Sequence, residues 1–128
     1  MSQLTWLRTS YWAGAIADVL VGALTLVPSR MGLPGFRYPM GMAASLMFAW
    51  AVLLLWADRA PVARRGVLPI TVVVIIGLLL SGVYSVVTGL FPVSKIVPST
   101  VLGVVLIVLM LFSYLNAGSA ERCAWRSG

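Results

Sequence analysis

The chain has 128 residues, of which 61% are hydrophobic and 9% are charged, with a formal net charge of +6 and a mean hydropathy of +1.04. This composition excludes an ordinary soluble domain, in which about a quarter of the residues are charged. It predicts an integral membrane protein. One bilayer crossing takes about 20 apolar residues, so four crossings fill most of the chain and leave no room for a separate soluble domain.

Apolar runs alternate along the chain with short segments that carry the charges and most of the prolines. The separating segments are "PSRMGLPGFRYP", "DRAPVARRG" and "PVSKIVP", whose prolines and glycines disfavour helix. The runs are continuous and do not alternate in polarity, which favours membrane helices over the strands of a barrel. The sequence therefore predicts an all-α, polytopic fold, a single transmembrane domain over residues 1–128. We expect a four-transmembrane-helix bundle with helices at about 11–27, 40–57, 67–91 and 99–115.

The basic residues predict the orientation of the bundle. Four crossings place both termini and the second connection on one side, together with Arg8, Arg59, Arg64, Arg65, Arg122 and Arg126. The opposite side holds Arg30, Arg37 and Lys95. The positive-inside rule then predicts that both termini are cytoplasmic, an N-in/C-in topology. Aromatic residues that favour a membrane interface fall near the cytoplasmic boundary: Trp6, Tyr11, Trp12, Trp56 and Tyr114.

Several classes of function lack the residues they need. The basic residues form no dense run, so we expect no nucleic-acid partner. The chain has no histidine and one cysteine, Cys123, which excludes thiol pairs, catalytic zinc sites and histidine-dependent nucleophilic catalysis. Phosphate-binding loop motifs are absent. We therefore expect no enzymatic activity, no cofactor and no metal, and we expect the methionines to pack in the bundle.

Asp18 is the unusual residue of the first apolar run. It lies near the middle of that run, where an ionised carboxylate costs about 2.5–3.5 kcal/mol. The spacing Gly14-xxx-Asp18-xxx-Gly22 lets a second helix approach the carboxyl group closely. No basic residue lies at matching depth in the other runs, so neutral partners are expected. The predicted ligand-binding residues are Asp18, Ser45, Trp50, Ser81, Tyr84 and Ser85.

Two interpretations of Asp18 remain open. In the first, a protonated carboxyl joins helices through hydrogen bonds worth about 0.6 kcal/mol each. In the second, Asp18 binds a proton, a cation or a polar ligand, because ionisable residues within membranes often mark functional sites. The second predicts a small binding or transport protein, which would need a homodimer to enclose a path. The alternative function is a non-catalytic accessory or assembly subunit of a larger membrane complex.

The connection "WADRAPVARRG" forms a cytoplasmic loop charge cluster of Asp58, Arg59, Arg64 and Arg65. Its Asp-Arg pair followed by further arginines resembles the loop between the second and third helices of major facilitator transporters. One interpretation of the cluster is a gate in which Asp58 pairs with Arg59, Arg64 or Arg65. The other interpretation is an exposed ion pair, which contributes at most about 1 kcal/mol.

The longer stretch "YPMGMAASLMFAWAVLLLWADRAPVARRGVL" and the C-terminal "LFSYL" follow an aspartate in the first apolar run. In this order of features the chain resembles uncharacterised small four-helix integral membrane proteins of prokaryotes. The resemblance implies a multi-pass protein of the prokaryotic cytoplasmic (inner) membrane. It implies no function.

Overall fold

A computed structural model describes residues 2–30, 35, 37–90 and 92–126 of the protein, with the backbone alone for residue 30 and residues 119–126. The side chain of Cys123 therefore lies outside the described part. The protein is all-α, as predicted. Four helices and one 3-10 turn are described: α1 (Gln3–Thr25), the turn Pro28–Arg30, α2 (Arg37–Asp58), α3 (Val67–Val87) and α4 (Val93–Arg126).

Three of these helices are long and apolar enough to cross a membrane. They are α2 with 22 residues, α3 with 21, and the Val93–Gly118 part of α4 with 26. Three of the four predicted segments thus have the length and hydropathy that a membrane crossing requires. Arg8 and Asp18 make α1 less apolar than α2, α3 and the Val93–Gly118 part of α4.

The first two helices begin earlier than the apolar pattern predicts. Ser2 caps α1, since its hydroxyl oxygen accepts a hydrogen bond from the Thr5 amide at 3.4 Å. Such a cap starts a helix within polar sequence. Helix α2 includes Pro39 in its first turn, where a proline is tolerated because the first amides of a helix have no partner within the helix.

Helix α3 ends before Phe91, the end that the apolar run predicts, because its last turn closes in a Schellman motif. The Leu90 amide donates to the Ser85 carbonyl and the Gly89 amide donates to the Val86 carbonyl, both at 2.9 Å. Gly89 has φ 74°, the left-handed conformation that this motif requires and that glycine adopts most easily.

Helix α4 extends beyond its predicted range at both ends. Pro98 lies in the second turn of the helix, although the segment containing it reads as a turn. Pro98 has no amide hydrogen, so the helix lacks the hydrogen bond to the Ser94 carbonyl four residues before it. At the other end the polar tail contains helix-favouring residues such as alanine and glutamate. The helix therefore continues after the apolar segment has ended.

The helices pack as two hairpins, a first hairpin of α1 and α2 and a second hairpin of α3 and α4. Helix α1 also packs on α4. In α3 the buried residues are Leu68, Thr71 and Val72, all in its first two turns. The hairpins are therefore joined most tightly at the end that holds connection 59–66, which we call the closed end. The core lies towards this end and contains Leu7, Tyr11, Ala15, Ala51, Leu54, Ala57, Leu68, Val72, Met110 and Ala117.

Candidate functional site

Asp18 lies on the side of α1 that packs against other helices. Its side chain is half-buried, and its Oδ2 atom is inaccessible to solvent without any hydrogen-bond partner in the described part of the chain. A buried polar atom that lacks a partner costs about 1–3 kcal/mol. The protein therefore holds an acceptor position that its own described groups leave unsatisfied.

The two glycines that flank Asp18 are both sites of close helix approach. A Cβ atom at Gly14 would lie 2.7 Å from Met110 Cε and 2.9 Å from Leu54 Cδ1, so α2 and α4 both contact α1 there. A Cβ atom at Gly22 would lie 3.1 Å from Phe48 Cε1, and its nearest neighbours all belong to α2. Asp18 therefore lies one turn after the position where α1 contacts both α2 and α4, and one turn before the position where it contacts α2.

The predicted hydroxyl groups are not gathered around Asp18. Each predicted serine donates to a carbonyl of its own helix: Ser45 to Gly41 at 2.9 Å, Ser81 to Gly77 at 3.0 Å and Ser85 to Ser81 at 2.8 Å. The Tyr84 side chain is 69% exposed. Helix α3 packs along α4 and not along α1, so its hydroxyl face is turned away from the carboxyl group. Serines in helices commonly satisfy themselves by bonding four residues back.

Trp50 joins two helices instead of bonding Asp18. Its indole N–H donates to Thr71 Oγ1 at 3.1 Å, and the Thr71 hydroxyl donates to the Val67 carbonyl at 2.8 Å. Thr71 is 3% exposed. This contact links the first hairpin to the second near the closed end.

A buried serine pair, which the sequence analysis did not identify, joins α1 to α4. The hydroxyl oxygens of Ser10 and Ser113 lie 2.6 Å apart, and either one can donate to the other. The remaining proton has a backbone acceptor, either the Leu109 carbonyl at 3.4 Å from Ser10 or the Trp6 carbonyl at 3.2 Å from Ser113. Ser10 lies one turn before Gly14 on the same face, which is the signal that could have indicated it.

Tyr11 is a core residue and not an exposed member of an interfacial aromatic belt. Its side chain is fully buried. Its hydroxyl group donates to the carbonyl of Arg64 at 3.1 Å, with the Pro61 carbonyl at 3.4 Å. One aromatic side chain of α1 thereby holds the connection between the two hairpins.

The charge cluster at the closed end pairs differently from the predicted gate. Asp58 Oδ1 lies 3.7 Å from Nε of Arg8, and Asp58 Oδ2 accepts a hydrogen bond from the Trp12 indole at 3.2 Å. Two residues of α1 therefore hold the aspartate at the end of α2. Arg64 lies instead over the Trp56 ring, at 3.5 Å from its centroid.

The other two arginines of the cluster lie apart from this pair. Arg65 lies 6.0 Å from the Tyr114 ring centroid, and Arg59 is exposed. Of the predicted cluster, Asp58 thus pairs with Arg8 of α1, Arg64 and Arg65 lie over aromatic rings, and Arg59 is exposed.

The chemistry offered by the described residues is that of an isolated carboxyl group in an apolar surrounding. In the described part of the chain, no three histidine, cysteine, aspartate or glutamate residues come together as metal ligands. A single carboxyl group can take up a proton, pair with a cation or accept hydrogen bonds from a ligand. The chain matches no protein-family model, and no curated protein or solved structure matches it either.

Proposed function

We propose that the protein binds a cation, or the polar group of a small ligand, at Asp18 in exchange for a proton. In this proposal it crosses the prokaryotic cytoplasmic (inner) membrane four times, with both termini in the cytoplasm. We assign the fourth crossing to α1, with its polar first turns and Arg8 at the cytoplasmic headgroup level and its apolar part beginning at Tyr11. Its buried face packs along α2.

The observation that carries the proposal is the buried Asp18 Oδ2 atom without a hydrogen-bond partner in the described part of the chain. An incoming cation or donor group would satisfy this atom, and loss of the ligand would be balanced by a proton. The space beside the flanking glycines is filled by Leu54, Met110 and Phe48, so a ligand would reach Asp18 only at the level of the carboxyl group itself.

The competing interpretation, in which Asp18 joins helices, has less support. Other polar contacts already join them: Ser10 with Ser113 between α1 and α4, and Trp50 with Thr71 between α2 and α3. Oδ2 of Asp18 has no such contact in the part of the chain that the structure describes. A carboxyl group that bonds no neighbouring helix contributes little to holding the bundle together.

The test uses a hydrophobic carbodiimide, which reacts with protonated carboxyl groups in apolar surroundings. In proteoliposomes we expect labelling of Asp18 in the wild-type protein, detected by peptide mass spectrometry. Added Na⁺, K⁺ or small organic cations are each tested, and the bound species should slow labelling. The Asp18→Asn variant should not be labelled, and its free energy of unfolding should lie within about 0.6 kcal/mol of wild type.

The matched control is Asp58→Asn, the same chemical change at the closed end. It should leave the labelling of Asp18 and its protection by cations unchanged. Labelling that none of the cations slows would contradict cation binding. A loss of folding in Asp18→Asn would support the helix-joining role instead.

A second candidate function is favoured by the outer face of α3. Gly77, Ser81 and Ser85 follow one another at four-residue spacing, and no atom lies within 4 Å of a Cβ placed on Gly77. Small residues at this spacing allow a helix of another chain to approach closely. We infer from this face the alternative role of a non-catalytic accessory or assembly subunit, with α3 docked on a helix of a larger membrane complex.

The Gly77→Leu variant tests this second candidate. Leucine would block close approach to α3 from outside, while the open space around the residue allows the protein itself to fold. On purification from native membranes in mild detergent, an accessory subunit should bring a larger partner, and Gly77→Leu should lose it. Gly41→Leu, also in open space but on α2, should keep the partner. Recovery of a lone monomer would rule out this role.

A further inference from the structure

The outer side of α1 carries an open groove of about 640 Å³, which we call the α1 groove. It lies on the helix face opposite the one that packs against α2 and α4. The residues that define its chemistry are Thr5, Arg8, Thr9, Trp12, Ala13 and Ile16. The groove is independent of Asp18, which faces the other helices.

The polar groups of the α1 groove lie at one end of its lining. Thr5, Arg8 and Thr9 supply hydroxyl groups and a guanidinium group there, beside the apolar Leu4, and Ala13 and Ile16 supply a wholly apolar surface at the other end. Eleven residue steps separate Thr5 from Ile16, which corresponds to about 16 Å along the helix axis. A phospholipid has the same sequence of chemistry over this distance, from its phosphate to the upper part of its acyl chains.

The Trp12 ring is a fixed wall of this groove. Its indole N–H is bonded to Asp58 Oδ2 at 3.2 Å, which restrains the orientation of a side chain that is 52% exposed. Indole rings with one polar edge and an apolar body favour the boundary between headgroups and acyl chains. The restrained ring provides a preformed surface for an acyl chain that follows Ala13 and Ile16.

The charges at the polar end favour an anion. The Arg8 side chain is 56% exposed, and its Nε atom lies 3.7 Å from Asp58 Oδ1, so the guanidinium group remains accessible from the groove. Arg59 follows Asp58 in sequence and is exposed. The three side chains together carry one net positive charge. Guanidinium groups bind phosphate oxygens with charge-assisted hydrogen bonds.

We propose that the α1 groove binds an anionic phospholipid, with its phosphate on Arg8 and one acyl chain along Ala13 and Ile16 beside Trp12. The negative charge of Asp58 limits the affinity, because it competes with the lipid for the Arg8 guanidinium group. The site therefore selects anionic over zwitterionic lipid, and the strength of that selection depends on the Arg8–Asp58 pair.

The test is a competition between phosphatidylglycerol and phosphatidylcholine, mixed in equal amounts with the purified full-length protein and read by native mass spectrometry. Arg8→Gln should lower the ratio of bound phosphatidylglycerol to bound phosphatidylcholine by about fivefold. Asp58→Asn should raise the same ratio, because it removes the competing carboxylate. Since the two changes act in opposite directions, a general loss of folding cannot produce both.

Arg37→Gln is the matched control, since it removes one positive charge from an exposed position on α2, away from the groove. It should leave the ratio unchanged. An equal loss in Arg37→Gln and Arg8→Gln would show that net charge alone attracts the lipid and would overturn the proposal. A decrease in Asp58→Asn would also overturn it.

Discussion

Replacing Gly14 with leucine should prevent α1 from packing closely against both α2 and α4. A Cβ atom at this position would already lie 2.7 Å from Met110 Cε and 2.9 Å from Leu54 Cδ1, inside van der Waals contact. Alanine can be accommodated if these two flexible side chains shift, but leucine adds three further carbon atoms to occupied space. Overpacking of this kind costs about 1–3 kcal/mol and sometimes more. Thermal unfolding followed by circular dichroism in detergent should show a clear loss of stability.

The control for this prediction is Gly41→Ala. No atom lies within 4 Å of a Cβ placed on Gly41, so alanine meets no obstacle there and should stabilise the helix by up to about 1 kcal/mol. The order of stability should be Gly41→Ala, wild type, Gly14→Ala, Gly14→Leu. A Gly14→Leu protein as stable as wild type would show that α1 does not lie against Leu54 and Met110.

Truncating Tyr11 to alanine should destabilise the protein by about 3–5 kcal/mol, the range for removal of a buried aromatic side chain. Tyr11 is fully buried in the core and its hydroxyl group donates to the backbone of the connection at Arg64. Tyr11→Phe keeps the ring and loses this hydrogen bond, so it should cost about 1 kcal/mol. The free energy of unfolding, measured by titration of the folded protein with a denaturing detergent, gives both values.

Tyr38→Ala serves as the comparison, because Tyr38 is 77% exposed and lies in the first turn of α2. Its removal should change the free energy of unfolding by no more than about 0.5 kcal/mol. If truncation of Tyr11 and of Tyr38 cost the same, Tyr11 would have to lie at the surface, as its place near the end of an apolar run suggests.

The apolar pattern predicts a helix end accurately where the apolar segment and the backbone hydrogen bonding of the helix end at the same residues. It predicts the start of α3 at Val67, and it predicts both ends of α2 to within three residues. It is less accurate for α1 and α4, because hydropathy reports the boundary of an apolar segment and not the end of backbone hydrogen bonding. Ser2 and the helix-favouring tail extend these helices into polar sequence.

At the candidate site, the sequence predicts the relations within one helix but not the contacts between helices. Helical spacing correctly places Gly14, Asp18 and Gly22 on one packed face, because that relation lies within one helix. It cannot indicate that α3 packs along α4 and not along α1, because the choice of neighbouring helix is a tertiary property. The pairing of Asp58 with Arg8, 50 residues away along the chain, is missed for the same reason.

The arrangement in two hairpins bears on how the protein is made. Each hairpin consists of helices that follow one another in the chain, so most interhelical surface is buried between segments that leave the ribosome in succession. Local pairings of this kind form early, because they close only short loops. We therefore expect the joining of the two halves to be the late step of biogenesis. It depends on the apolar side chains that the halves share and on a small number of polar groups at one rim of the molecule: a serine pair, an indole, a phenol and an eight-residue link.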